Sequence, residues 1–146
     1  MHVSTTFAIP SSLEFCLALS RGAKALSRRI DGRLGSLHGI SFADFAILLQ
    51  LGRAPGGRLR RIDLAEQLGL TASAVTRALI PLEKIGLVSR KADSSDARVS
   101  LASLTAAGRR ILEESLETAE MLSRDIVPED DPLTDCSQIL DRLQSR

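Results

Sequence analysis

Apolar residues in the first part of the chain follow the period of an α-helix. Over residues 13–37 they recur at steps of three and four, which places them on one face of a helix. Ser11 or Ser12, directly after Pro10, is a suitable N-cap because a serine hydroxyl can accept from a free backbone N–H. The pattern therefore predicts one long amphipathic helix here.

Three further helices are predicted on the same period. The first begins at Ser41 and ends before Gly52, and the Pro- and Gly-rich residues 53–57 form a loop after it. A short helix over residues 62–68 ends at Gly69, and Thr71 then caps the third helix. The apolar positions of this third helix are Val75, Leu79 and Leu82.

After Gly86 the period changes from that of a helix to that of a strand. Residues 87–91 and 98–104 are predicted to form a hairpin with a polar turn, and Thr105 to cap a long helix that reaches about Ile126. A last helix is predicted over residues 133–143. One face of the second strand holds Val99, Leu101 and Ser103, and the stripe of the long helix holds Leu112, Leu116, Ala119 and Leu122 or Ser123. The predicted fold class is mainly α with a small β-hairpin.

Composition limits the classes of protein to consider. A chain of 146 residues fits a single domain, residues 1–146. With four Phe and no Trp or Tyr, it is a poor candidate for functions that depend on aromatic stacking. The sequence holds no nucleophile motif, phosphate-binding loop or metal-ligand cluster, so we expect no enzyme, no metal and no cofactor.

Segments that would direct the chain to or through a membrane are also not indicated. No apolar run approaches the roughly 20 residues of a membrane helix, and the first residues lack the pattern of a secretory signal. Two cysteines are too few for a disulfide-stapled secreted scaffold. We therefore expect a cytoplasmic protein without a membrane partner.

The net charge of +1 conceals an uneven distribution along the chain. Residues 1–52 have a balance of +2, residues 53–110 a balance of +6, and residues 111–146 a balance of −7. A concentrated positive segment indicates an anionic partner, of which nucleic acid is the most common. Charge alone fits a solvated basic face equally well.

The order of elements in this basic segment adds a second argument. Two short helices joined by a tight glycine-containing turn and followed by a hairpin are typical of a winged helix–turn–helix, whose second helix enters the major groove of DNA. That helix carries small polar groups and one arginine where a merely packed helix would carry Glu and Lys pairs. The alternative from another class is a winged helix that assembles proteins without reading DNA, and salt-dependent DNA affinity distinguishes the two.

Several polar residues are predicted to contact double-stranded DNA. Thr71 caps the helix beside backbone N–H groups that can take a phosphate. Arg77 is the best base reader, since a guanidinium can bind O6 and N7 of guanine together, with a phosphate contact as the alternative. Arg98 can reach a narrow minor groove, with Asp96 as its support. The predicted contacts are Thr71, Ser73, Thr76, Arg77, Arg90, Lys91 and Arg98.

Residues 62–112 resemble the MarR family of bacterial transcriptional regulators. The resemblance is carried by IDLAEQLGLTASAVTRALIPLEKIGLVSR, then by Asp96-Ala-Arg98 and by Leu104-Thr-Ala-Ala-Gly108. It implies that Thr76 and Arg77 face the groove and that Arg98 is the wing arginine. Pro81 departs from the family pattern, in which a polar residue is common; because proline frees the Arg77 carbonyl, we expect a local kink.

The resemblance also implies a homodimer that binds a palindromic operator, most simply a repressor released by a small-molecule effector. It places the dimerisation region in residues 11–37 and 111–146 and the DNA-binding lobe in residues 41–110, with an effector cleft between them. His38, Phe42 and Phe45 lie near that cleft, although the two Phe also have ordinary core spacing. The dimer interface is predicted at Leu13, Leu17, Leu116, Ile139, Leu140 and Leu143.

The two cysteines suggest an alternative signal. Cys16 lies in a segment similar to that of the sensing cysteine in the hydroperoxide-responsive branch of the family, where a thiolate is oxidised and sometimes pairs with a cysteine of the other subunit. Cys136 is the other cysteine that could take part in such chemistry. That branch has tyrosines near its cysteine, and this chain has none. The neighbouring Leu17 and Leu19 instead favour an inert, buried thiol.

Overall fold

The computed structural model describes residues 9–96, 99–127 and 133–144, which form helices and one small sheet. The helices are α1 (Ser11–His38), α2 (Phe42–Arg53), α3 (Arg61–Leu68), α4 (Ala72–Lys84), α5 (Ala106–Ile126) and α6 (Leu133–Gln144). The strands are β1 (Arg58–Arg60), β2 (Val88–Ala92) and β3 (Ser100–Leu104). A single 3-10 turn, Pro55–Gly57, precedes β1.

Helix α1 begins one or two residues earlier than a serine cap would allow. The backbone N–H groups of Leu13 and Glu14 both donate to the Pro10 carbonyl, so Ser11 already lies inside the helix. The prediction of Ser11 or Ser12 as N-cap is therefore wrong: Pro10 takes that position, and no side chain caps the helix.

The corner between α1 and α2 is fixed by three local interactions. Gly39 ends α1 in the left-handed conformation, with φ of 70°. Ser41 caps α2 as predicted and forms a reciprocal capping box with Asp44. The Asp31 carboxylate accepts from the Phe42 backbone N–H at 2.7 Å, which ties α1 to the first turn of α2.

Helix α2 continues past Gly52 to Arg53, so the predicted end was wrong. Gly52 serves close packing rather than termination, since a Cβ there would lie 2.6 Å from the Leu112 side chain on α5. The helix ends instead at Arg53, because Ala54 precedes a proline and is therefore extended.

The tight connection between α3 and α4 agrees with the prediction. Gly69 ends α3 with φ of 63°, and the Thr71 hydroxyl accepts from the Ala74 backbone N–H at 3.1 Å. Val75, Leu79 and Leu82 are buried, as their spacing predicted. The opposite side of α4 is thereby left facing outward.

The sheet has three antiparallel strands in the order β1-β3-β2, one more than predicted. β1 was missed because it has only three residues, of which two are arginines. Its Leu59 pairs with Ala102, the buried residue of β3, so the core side of the sheet carries Ala102. The predicted face with Leu101 is the outer, half-buried one.

Helix α5 begins in close contact with the connection between α4 and β2. The Thr105 hydroxyl accepts from the Gly108 backbone N–H, which confirms the predicted cap, and lies 2.6 Å from the Gly86 carbonyl oxygen, to which it can donate. Gly108 packs so tightly that a Cβ would overlap the Leu87 carbonyl oxygen and lie 2.8 Å from the Leu104 side chain. The Leu-Thr-x-x-Gly motif is thus a close-packing device.

The core is aliphatic and centred on α2, whose Ile47, Leu48 and Leu51 are almost completely buried. Helix α1 adds Ile30 and Leu34 from its second half only. On α5 the buried positions are Gly108, Leu112, Ser115, Thr118 and Ala119. The predicted stripe was therefore partly wrong, and Leu116 lies outside the core of the protomer.

No single helix in the described ranges is both long and apolar enough to cross a membrane. Helices α1 and α2 meet that test together, by length and composition only, and they are bent by 74° at the break between them.

The packing at Gly108 leads to a test of stability. We expect Gly108→Ala to lower the free energy of unfolding by about 3 kcal/mol, because the added methyl group meets a backbone carbonyl that side-chain rotation cannot move away. Gly32→Ala is the matched control, since nothing lies within 4 Å of its Cβ position on α1. It should raise stability by roughly 0.5–1 kcal/mol. Equal effects in urea unfolding would contradict the close-packing account.

Candidate nucleic-acid interface

The outward side of α4 begins with small polar residues and an arginine. Thr71, Ser73 and Arg77 are exposed, and no acidic residue lies in the first turn. Arg61 of α3 and four residues of the first two turns of α4 surround an open cleft of about 410 Å³, which is lined by Arg61, Ala72, Ser73, Thr76 and Arg77. The cleft offers cationic and hydroxyl groups, which suit an anionic ligand.

Thr76 lies at this cleft but its hydroxyl is engaged within the protein. It donates to the Ala72 carbonyl at 2.9 Å and accepts from the Arg61 guanidinium at 3.0 Å. Arg61 was missed by the sequence analysis. The signal that could have found it is its place at the end of an Arg-Leu-Arg-Arg run that leads into α3, the helix before α4.

Arg90 and Lys91 lie on β2 in different surroundings. The Arg90 guanidinium forms an ion pair with Glu83 of α4, with its Nε 2.7 Å from the carboxylate. This pair joins α4 to the sheet and gives Arg90, one of the predicted DNA contacts, an acidic partner within the protein. Lys91 is exposed.

The tip of the hairpin is ordered by Asp93. Its carboxylate accepts from the backbone N–H and the hydroxyl of Ser95, and these hydrogen bonds hold the pKa of Asp93 below its ordinary value. The Asp96 carbonyl accepts from the Val99 backbone N–H at 2.9 Å, which closes the turn. Arg98 lies outside the described residues, so its predicted minor-groove contact and its support by Asp96 stay predictions.

A second cleft of about 460 Å³ lies on the outer side of the sheet, beside β1. Two arginines line it, and carboxylates accompany them: Arg60 donates to Asp63 at 2.7 and 2.9 Å, and Asp93 lies nearby. Because the charges balance, this cleft is a weaker candidate for an anion than the one at α4.

The residues predicted for the effector cleft lie between α1, α2 and α5. The His38 Nε2 atom is 2.9 Å from the hydroxyl of Thr118, a nearly buried residue of α5. Phe45 is buried, and its ring stacks on that of the half-buried Phe42 at a centroid distance of 6.3 Å. The Phe pair is thus part of the core, whereas His38 bridges α1 and α5.

The six apolar residues predicted at the dimer interface are all exposed in the protomer. Their exposed fractions run from 37% for Leu116 and Ile139 to 61% for Leu143. They lie on α1, α5 and α6, together with exposed Phe15 and Met121.

Both cysteines are exposed in the protomer, so the expectation of a buried Cys16 thiol is wrong for the single chain. Its physical reason is that the first half of α1 extends beyond the core, which α1 reaches only at Ile30 and Leu34. Within residues 9–96, 99–127 and 133–144, no group of three His, Cys, Asp or Glu side chains is placed to bind a metal.

Pro81 does not end α4, which continues to Lys84. The Pro81 carbonyl accepts from the Ile85 backbone N–H at 3.1 Å, so the last turn keeps its hydrogen bond. The predicted kink stays a prediction.

The chain is similar to known proteins both in sequence and in fold. Residues 40–100 match the model of the MarR family. YdgJ of Bacillus subtilis (strain 168), an uncharacterised HTH-type transcriptional regulator, is 33% identical over 104 residues, which are 71% of this chain and 62% of that relative. The match thus spans less than two thirds of the relative's length.

Two solved structures share the fold. Sco3205, a MarR family transcriptional regulator from Streptomyces coelicolor in complex with DNA, has a TM-score of 0.83 and 24% identity, over 97% of this chain and 91% of that chain. CouR from Rhodococcus jostii RHA1, bound to p-coumaroyl-CoA, has a TM-score of 0.74 and 26% identity, over 94% of both chains. These similarities confirm the predicted fold class.

The ion pair between Glu83 of α4 and Arg90 of β2 should change the pH at which the Glu83 carboxyl titrates. The hydrogen bond from Arg90, aided by its positive charge, holds the pKa of the Glu83 carboxyl below its ordinary value. The stabilisation by this pair is therefore present above about pH 4.3 and is lost as the pH falls through the lowered pKa of the folded state. NMR titration of Glu83 should show a low midpoint that returns to the ordinary range in Arg90→Gln. An unchanged midpoint in that variant would contradict the pairing.

Proposed function

We propose that the chain is a transcriptional regulator of the MarR family, whose model its residues 40–100 match, and that it binds double-stranded DNA as a homodimer. The proposal includes repression through a palindromic operator and release by a small molecule. A protein that binds chromosomal DNA acts in the cytoplasm of a bacterium, and we assign it to that compartment. Its named relatives are regulators rather than enzymes, so we propose no catalytic activity.

The outward side of α4 is the observation that carries this proposal. Ser73 and Arg77 are exposed at the start of the helix, Arg61 lies beside them, and the first turn has no carboxylate that would repel a phosphate. In a helix–turn–helix the first residues of the second helix contact base edges. A winged helix that only assembled proteins would need no such concentration of cations and hydroxyls.

Exposed apolar side chains support the homodimer. Leu13 and Leu17 of α1 and Ile139, Leu140 and Leu143 of α6 are between 37% and 61% exposed, and exposed apolar surface of this kind is typical of an interface. A second copy can cover it through a two-fold axis. The acidic surplus of residues 111–146 would then lie away from the phosphates, which favours this arrangement.

The proposal of a small-molecule effector is supported by the place of His38. Its hydrogen bond to Thr118 lies where α1 and α5 meet, close to the start of α2 at Phe42. The structure of CouR contains p-coumaroyl-CoA, which shows that a similar chain accepts a small-molecule ligand. Regulation by oxidation is the second candidate, favoured by the exposed Cys16.

Fluorescence anisotropy with a labelled duplex tests the proposal directly. We expect affinity to fall linearly with the logarithm of salt concentration, because each neutralised phosphate releases counterions. Binding that is absent, or independent of salt, would favour the protein-assembly alternative. Addition of hydroperoxide to the same assay, with Cys16→Ser as control, separates regulation by oxidation from regulation by a ligand.

Arg77 should carry base preference. We expect Arg77→Ala to lower affinity and to relax discrimination at one base pair per half-site by roughly 1–3 kcal/mol, since the bidentate contact to guanine is lost. Lys84→Ala, two helical turns further along α4, is the matched control and should weaken binding to all sequences alike or not at all. Competition among duplexes with single base changes measures both. An Arg77→Ala protein with unchanged preference would contradict the groove assignment.

The dimer has its own test. A buried glutamate without a partner is strongly unfavourable, so Leu17→Glu should weaken self-association by roughly 100-fold in analytical ultracentrifugation. Ile85→Glu changes an exposed apolar residue that follows α4, outside the proposed interface, and should leave self-association unchanged. Equal weakening by both substitutions, or by neither, would contradict the assigned interface.

A further inference from the structure

The hydroxyl of Thr76 has its hydrogen-bonding capacity largely used inside the protein. A threonine hydroxyl has one hydrogen to donate, and that of Thr76 goes to the Ala72 carbonyl at 2.9 Å. One of its two lone pairs accepts from Nη1 of Arg61 at 3.0 Å. DNA phosphates offer only acceptors, so Thr76 in this state has no hydrogen left for a phosphate.

Arg61 is in the opposite situation. A guanidinium has five N–H donors in a planar fork, and Arg61 uses one of them on Thr76. The side chain is exposed, and it forms no ion pair within the part of the chain that the structure describes. The neighbouring Arg60, by contrast, is held by two hydrogen bonds to Asp63.

The position of Arg61 suits a contact to the DNA backbone. It is the first residue of α3, and in a helix–turn–helix the helix before the recognition helix crosses the backbone. Its guanidinium lines the same cleft as Ser73 and Arg77, so the cleft presents two cations on one side of the recognition helix. A planar fork of donors matches the oxygens of a phosphate.

We propose that Arg61 binds a DNA phosphate and that Thr76 is a positioning residue which holds the Arg61 side chain toward the cleft. This inference rests on the proposed function and corrects its detail: the contact predicted for Thr76 belongs to Arg61. Thr76 acts by fixing one edge of the guanidinium, which reduces the side-chain entropy lost when the phosphate binds.

The first experiment measures the salt dependence of binding to a 30-base-pair duplex of random sequence, because a phosphate contact does not depend on sequence. Log affinity falls with log salt concentration, and loss of one phosphate contact makes this slope shallower by about 0.9 per protomer. We expect this change for Arg61→Gln. Arg60→Gln removes the same charge one residue earlier, but from a side chain already paired with Asp63, and should change the slope much less. Equal changes in both variants would overturn the assignment to Arg61.

The second experiment separates positioning from direct contact by a double-mutant cycle. Thr76→Val keeps the shape and removes the hydroxyl; we expect it to weaken binding several-fold in the wild-type background and not at all in Arg61→Gln. Thr76→Ser, which keeps the hydroxyl, should bind like the wild type. The same several-fold loss in both backgrounds would show that Thr76 contacts DNA itself and would overturn the proposal. Thermal melting of every variant verifies that it is folded.

Failure of the proposed function and failure of the role of Arg61 give different results. If the wild-type protein does not bind the duplex, the proposed function fails and this inference fails with it. If the wild type binds with a normal salt slope and Arg61→Gln has the same slope, the function stands and the role of Arg61 is wrong.

Discussion

The close approach of α5 to the connection between α4 and β2 is the contact on which the arrangement of this protein depends. Gly108 leaves no room for a side chain against the Leu87 carbonyl, and the Thr105 hydroxyl lies 2.6 Å from the Gly86 carbonyl oxygen. The end of the proposed recognition helix is thereby fixed to the first turn of the long helix. Helix α5 also packs on α1, where His38 meets Thr118. A displacement of α5 would therefore have to be accommodated both at the α4–β2 connection and at α1.

Packing against the core also determines which side of α4 faces outward. Three buried aliphatic residues fix one side of the helix in the core, and this determines which polar groups face outward. The neighbouring arginines differ in their partners. Arg90 and Arg60 form ion pairs with Glu83 and Asp63, whereas Arg61 is held by a hydroxyl, which leaves its positive charge without a neutralising partner among the described residues. Charge along the chain indicated a basic segment, but the pairing decides which of its cations can meet an anion.

Sequence periodicity was sufficient for the helices and for most of their caps, because Ser41, Gly69, Thr71 and Thr105 act on backbone groups within a few residues. It failed where the conformation of a segment is determined by a contact with a distant part of the chain. Gly52 looked like a helix end but accommodates Leu112 of α5, and the three residues of β1 become a strand only through pairing with β3. The engagement of Thr76 by Arg61 joins residues 15 positions apart and depends on how α3 packs on α4. No local pattern encodes such a contact.

In the proposed function, two copies of α4, one from each protomer, read a duplex together. Selection of bound sequences from a random duplex pool with the purified protein tests this most directly. We expect an enriched inverted repeat whose half-sites are about one helical turn of DNA apart, roughly 34 Å between centres. Enrichment of a single asymmetric site would contradict the dimeric arrangement, and a pool that stays random would contradict the assignment of α4 to the reading of bases.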